Sequence, residues 1–235
     1  MTFSNKNYKN ILEDIKKIQQ IGQFSQIIAV SKEKPINEVN EAISFGVKHF
    51  GENRVQEASN KFEIIKKSHP NIELHLVGPL QTNKVKKALS LFDYIHTIDR
   101  ENLAVEISKN IEENNIYKTF FVQVNIGLEK QKSGIAPKDA DDFIKYCIND
   151  LKLNVKGLMC IPPINQDSEK YFVALKEMSE RNKLSLLSMG MSADYKSALL
   201  CGATHLRIGS LIFGERNQLT WKLIYIIIWI IPTAI

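Results

Sequence analysis

Eight short apolar runs alternate with segments of helical spacing along most of the chain, and this alternation decides most of what the chain can fold into. The runs fall at 26–30, 47–50, 73–77, 94–98, 119–125, 155–161, 184–189 and 205–208. Each is rich in Ile, Val, Leu or Phe and mostly lacks strict polar alternation, as strands covered on both faces of a parallel sheet do. Helical spacing appears between them at 35–45, 54–68, 82–91, 99–114, 137–149, 168–181 and 193–200, with a further helix at 8–20 before the first strand. Pro35 opens one helix and Gly46 follows its end. Asp99 stands as an N-cap, with Asn102 rather than Glu or Gln three residues on, so no capping box forms. Eight strand–helix units predict an α/β protein, a (β/α)8 TIM barrel with an extra N-terminal helix. A doubly wound open sheet is the competing arrangement, weakened by the lack of GxGxxG after the first strand.

Composition narrows the function classes. Of 235 residues, 44% are hydrophobic and 24% charged, which excludes intrinsic disorder. The net charge of +5 comes from Lys spread along the helices, which reads as a solvated surface rather than a nucleic-acid patch. Cys147, Cys160 and Cys201 are far apart and lack metal-ligand spacing, which argues against a disulfide framework and a zinc site. Residues 1–10 carry no apolar h-region, so a cytoplasmic protein is expected. The barrel is expected to occupy 1–216 as one domain, followed by an apolar tail, 217–235. The tail's uncharged run 223–235 has 13 residues, short of the roughly 20 that span a bilayer. Trp221, Tyr225 and Trp229 lie close to one helical face, and three readings compete: a final helix on the barrel, an extension without a role, or a membrane- or partner-binding segment.

In such a barrel the chemistry sits at the C-terminal strand ends, with a phosphate site after strands 7 and 8. Lys32 follows the first apolar run, at the mouth, where a partly desolvated amine forms Schiff bases; a lysine that merely reaches water reads the same. Lys34, against Pro35, should face solvent. Ser188-Met189-Gly190-Met191-Ser192 reads as a small-residue turn opening a helix, and Gly209-Ser210 as a second, so together they favour a phosphate site over simple helix caps. Arg207, one residue inside the last strand's end, needs an acceptor on a ligand or a carboxylate. His49, Glu52 and Asn53 fall at or just after the end of strand 2. His75 and His96 read as satisfied core groups, and the histidine spacing suggests no metal cluster.

The ordered set of these segments resembles a known family. Ala29-Val30-Ser31-Lys32, His49-Phe50-Gly51-Glu52-Asn53, Gly78-Pro79-Leu80-Gln81-Thr82-Asn83-Lys84, the 188–192 stretch, and Arg207-Ile208-Gly209-Ser210 with Phe213-Gly214-Glu215-Arg216 are similar to the pyridoxal phosphate homeostasis proteins. These are single-domain barrels related to the alanine racemase N-terminal domain. The resemblance implies pyridoxal 5′-phosphate held as an internal aldimine on Lys32. It implies phosphate contacts from Ser188, Met189, Gly190, Ser192, Gly209 and Ser210, Arg207 facing the pyridine nitrogen, and Asn53 near the cofactor. Ser210 stands where Thr is common and keeps the hydroxyl.

The implied role is non-catalytic, intracellular cofactor homeostasis. Its expected partners are the cofactor and PLP-dependent apoenzymes, with no nucleic acid or membrane, in a monomer or weak dimer. Two alternatives stand beside it. A PLP-dependent amino-acid racemase or lyase lacks here the second domain that would supply a tyrosine base. A Schiff-base aldolase on a phosphorylated sugar needs the same lysine and phosphate site.

Overall fold

The computed structural model describes residues 3–18, 23–114 and 116–215. Strands β1 (Gln26–Val30), β2 (His49–Glu52), β3 (Glu73–Leu76), β4 (Tyr94–Ile98), β5 (Thr119–Val124), β6 (Val155–Cys160), β7 (Leu186–Met191) and β8 (His205–Ile208) form a closed barrel in chain order. Neighbouring strands run parallel, and β8 returns to β1 with Ile28 opposite Arg207. The helices are α1 (Asn5–Ile18), α2 (Ile36–Ser44), α3 (Val55–Ser68), α4 (Val85–Leu91), α5 (Glu101–Asn114), α6 (Ala140–Lys145), α7 (Glu169–Arg181), α8 (Tyr195–Leu200) and α9 (Ser210–Phe213).

Several boundaries differ from those expected. The stretch at 82–91 begins as a 3₁₀ turn, Thr82–Lys84, and α6 runs into a π-helical turn at Tyr146–Asp150. Helix α5 starts at Glu101, so Asp99 is not its cap; its carboxylate pairs with Arg100 instead. Strands β2 and β7 each sit two residues further along than their apolar runs. In β2 the extension is Gly51 and a buried Glu52, residues that apolar patterning cannot register.

Side-chain alternation splits the strand residues into two populations. Ile27, Ala29, Phe50, Leu74, Phe120, Val122 and Leu206 belong to the apolar layer shared with the helices. Ile28, His75, His96, Phe121, Met159 and His205 are buried but stand apart from that layer, inside the barrel. The His96 ring stacks on Phe121 at 4.1 Å, and His205 meets Phe121 edge-on at 5.1 Å. The interior is thus a packed layer of polar and aromatic rings.

Strand crowding is greatest at Gly157. A Cβ there would lie 2.3 Å from Leu186 O and 2.7 Å from the Phe121 ring. Gly157→Ala is expected to cost about 3 kcal/mol, the upper part of the usual overpacking range, read as a lowered urea midpoint.

At the other end of the chain, α1 holds the last turn in place. Ser4 N donates to Ile212 O and Asn7 Nδ2 to Leu211 O, both at 2.7 Å, and the Tyr195 hydroxyl donates to Asp14. The 217–235 tail lies outside the described residues. Among those described, no helix is long and apolar enough to cross a membrane.

Candidate functional site at the barrel mouth

Lys32 lies in the turn just past the C-terminal end of β1, two residues beyond Val30. It is partly buried. Its turn rests on a buried ionic cluster. The Ser31 hydroxyl donates to Glu52 Oε1 at 2.6 Å, and Lys61 Nζ lies 2.6 Å from the same oxygen. Lys61 also donates to the carbonyls of Ser31 and Lys34 and to Glu57, whose Oε1 in turn accepts from Glu33 N. Burial pushes the Glu52 carboxyl above its usual range even with Lys61 beside it. Lys34 does not face solvent as expected: its amine folds onto Phe213 O and faces Glu38 at 3.8 Å.

The residues expected on β7 and β8 separate into two levels. Because β7 extends to Met191, Ser188, Met189 and Gly190 are strand residues, not a turn. Ser188 is fully buried inside the barrel, where its hydroxyl meets His96 Nδ1 and accepts from Arg207 NH1, each at 2.8 Å. The Met189 side chain joins the outer apolar layer. Gly190 has φ +86, and a Cβ there would stand 2.6 Å from Ala198 Cβ. Ser192 begins the actual turn. Its hydroxyl accepts from Leu211 N, tying this loop to α9, while Asp194 caps Met191 N. Gly209 precedes α9, and Ser210, its first residue, is exposed.

Arg207 is 5% exposed. It donates to Ser188 Oγ and to Cys160 O, and no carboxylate pairs with it among the described residues. A buried guanidinium without a counter-charge calls for an acceptor or anion from a ligand.

A cavity of about 240 Å³ opens at the strand ends, lined by Asn53, Gly78, Gln123, Lys132, Ser133 and Met159 among others. Of these, only Asn53 was singled out from the sequence as a site residue. Gln123, 7% exposed, donates to Ser133 O, and Asn125 bonds the Glu129 and Lys132 carbonyls, folding the 125–134 loop over the mouth. A lone amide inside the apolar run of β5 was the available signal for Gln123. Lys132 Nζ is tied to Glu129 and to Pro162 O.

Beneath the mouth, a column of polar groups crosses the barrel. His96 Nε2 faces His75 Nδ1 at 3.0 Å, and His75 Nε2 faces His49 Nδ1 at 3.3 Å. Burial holds His75 and His96 well below the usual imidazole range and lowers His205 to about 3, so these rings are neutral. His49 is the first residue of β2, so it lies at the N-terminal floor and not at the mouth. There it meets Glu73 and His75, all three ligand-capable atoms lying within 4.8 Å of one another. This grouping escaped the sequence spacing because strand pairing, His49 opposite Glu73, creates it. Cys147, Cys160 and Cys201 are buried and free.

The alanine racemase N-terminal domain family model matches residues 7–217. A pyridoxal phosphate homeostasis protein of Aquifex aeolicus is 39% identical over 202 residues, 82% of this chain and 88% of that protein. One from Vibrio cholerae is 37% identical, covering 82% and 86%. Among solved structures, PipY of Synechococcus elongatus with PLP bound superposes with a TM-score of 0.77 at 30% identity, covering 89% of this chain and 99% of PipY. Alanine racemase of Clostridium difficile shares the fold, with a TM-score of 0.69 at 11% identity, and this chain spans 58% of its length.

Proposed function

The chain belongs to the pyridoxal phosphate homeostasis proteins, within the family sharing the alanine racemase N-terminal domain, and we propose that it binds pyridoxal 5′-phosphate at the barrel mouth as a carrier or regulator rather than as an enzyme. The observation that carries this reading is Arg207, a buried cation with no carboxylate partner among the described residues, below a mouth edged by Lys32. The donor set suits the cofactor: an amine for its aldehyde, a hydrogen-bond donor for its ring nitrogen, and the Ser192 and Gly209-Ser210 turns for its phosphate. Gly190 lets β7 approach α8 closely, and Asn53 borders the same opening. Ser188 serves from below, holding Arg207 in place.

When bound, the cofactor supplies an electron sink that stabilises negative charge at a substrate carbon. Arg207 keeps its proton, so it donates to an unprotonated ring nitrogen and leaves that sink weak. This supports a non-catalytic role. So does the match over 88% of a relative named for pyridoxal phosphate homeostasis rather than for a reaction. The PLP-dependent enzymes that take cofactor from it are the proposed partners, in the cytoplasm.

The test is an absorption spectrum of the protein with pyridoxal 5′-phosphate, followed by borohydride reduction and peptide mapping. A visible band with a pyridoxyl mark on the Lys32 peptide is expected. Loss of α-deuterium from labelled alanine no faster than with the free cofactor is also expected, and enzyme-like exchange would replace the carrier reading with a racemase. Arg207→Gln should weaken cofactor retention roughly 10- to 100-fold, the equivalent of one charge-assisted hydrogen bond. Equilibrium dialysis measures that change.

A further inference from the structure

We propose that His49, His75 and Glu73 form a divalent transition-metal site of the zinc class at the N-terminal floor of the barrel, at the opposite end from the cofactor mouth. The site does not depend on the cofactor reading. Its three side chains start from the beginnings of two paired strands, His49 opposite Glu73 and His75 two residues on, all facing inward.

The distances match a coordination shell. His49 Nδ1 lies 3.3 Å from His75 Nε2 and 3.2 Å from Glu73 Oε2. Ligands of tetrahedral zinc at about 2.0–2.1 Å stand roughly 3.3–3.4 Å apart. The hydrogen-bond accounting points the same way. Glu73 Oε2 is shut off from solvent and makes no aligned hydrogen bond among the described residues, although His49 Nδ1 is so close.

An outer shell is already present. With Nε2 on a metal, His75 carries its proton on Nδ1 and donates to His96 Nε2, 3.0 Å away; His96 then donates from Nδ1 to Ser188. Such partners orient ligating histidines. The Tyr94 ring stacks on His75 at 4.3 Å and fixes its plane. Two imidazoles, one carboxylate and no thiolate suit Zn²⁺, Co²⁺ or Fe²⁺ and leave a position open. Glu73 and Tyr94 line a cavity of about 600 Å³ that admits the ion and a water for that position.

The experiment titrates EDTA-stripped protein, loaded with pyridoxal 5′-phosphate, with CoCl₂ and then ZnCl₂. One equivalent of Co²⁺ should give visible tetrahedral d–d bands that Zn²⁺ abolishes. His49→Gln and Glu73→Gln, both at partly exposed positions, should each weaken the metal about 100-fold or more, whereas Asp93→Asn, in the same cavity, should not. The cofactor band should persist in all three, which separates this site from the mouth and reports that the variants fold. Metal binding equal in wild type and the two ligand variants, or no stoichiometric binding by wild type, overturns the proposal.

Discussion

Lys32→Ala is expected to remove the visible band formed with pyridoxal 5′-phosphate and the borohydride-stable mark together, a complete loss, while the thermal midpoint stays nearly unchanged. Lys32 is partly exposed beyond a strand end, where substitutions usually stay within about 0.5 kcal/mol. The other amines near the mouth are held elsewhere. Lys34 is folded onto Phe213 O and Glu38, and Lys132 is tied to Glu129 and Pro162 O. Lys32→Arg separates covalent from electrostatic roles: it keeps the charge, so phosphate attraction survives, yet a guanidinium forms no stable Schiff base. Both variants should therefore lack the band, with the Arg variant retaining more non-covalent cofactor. A band that persists in either variant, or a mark that moves to the Lys132 peptide, would remove Lys32 from the proposal.

Period and end signals carried the fold a long way. The apolar runs at 26–30, 94–98 and 205–208 coincide with β1, β4 and β8, because strands buried on both faces need no alternation to be seen. Failures arose where a buried residue was polar. Glu52 ends β2 inside the protein, held by Lys61 from nine residues further along the chain, and nothing local marks that pair. Ser188 looked like part of a small-residue turn, whereas β7 runs on to Met191 and leaves Ser188 buried against Arg207. Linear spacing likewise hid the floor cluster, since His49 and Glu73 become neighbours only through β2–β3 pairing. The positions of Lys32, Asn53 and Arg207 near the C-terminal strand ends were legible because a parallel barrel gathers those ends at one face.

The Glu52–Lys61 pair should show its worth when one partner is removed. Glu52 is fully buried, Lys61 is its counter-charge, and Glu52 Oε2 has no hydrogen bond among the described residues. Lys61→Met strands that carboxylate and should cost about 3–5 kcal/mol at pH 8. The carboxyl's remedy is to take up a proton, which moves its folded pKa, already raised by burial, further above the unfolded value. The folded variant then binds more protons than the unfolded chain, so its stability falls as pH rises through the raised pKa and recovers towards acid. The deficit of Lys61→Met relative to wild type should therefore shrink between pH 8 and pH 5 in urea titrations. Glu52→Gln combined with Lys61→Met should restore most of the loss at pH 8, because no buried charge remains. A deficit that is the same at both pH values and survives in the double variant would assign the effect to the lost bonds from Lys61 to the Ser31 and Lys34 carbonyls. In that case the turn carrying Lys32 would be held by hydrogen bonding, and adduct formation at Lys32 should slow in step with the stability loss.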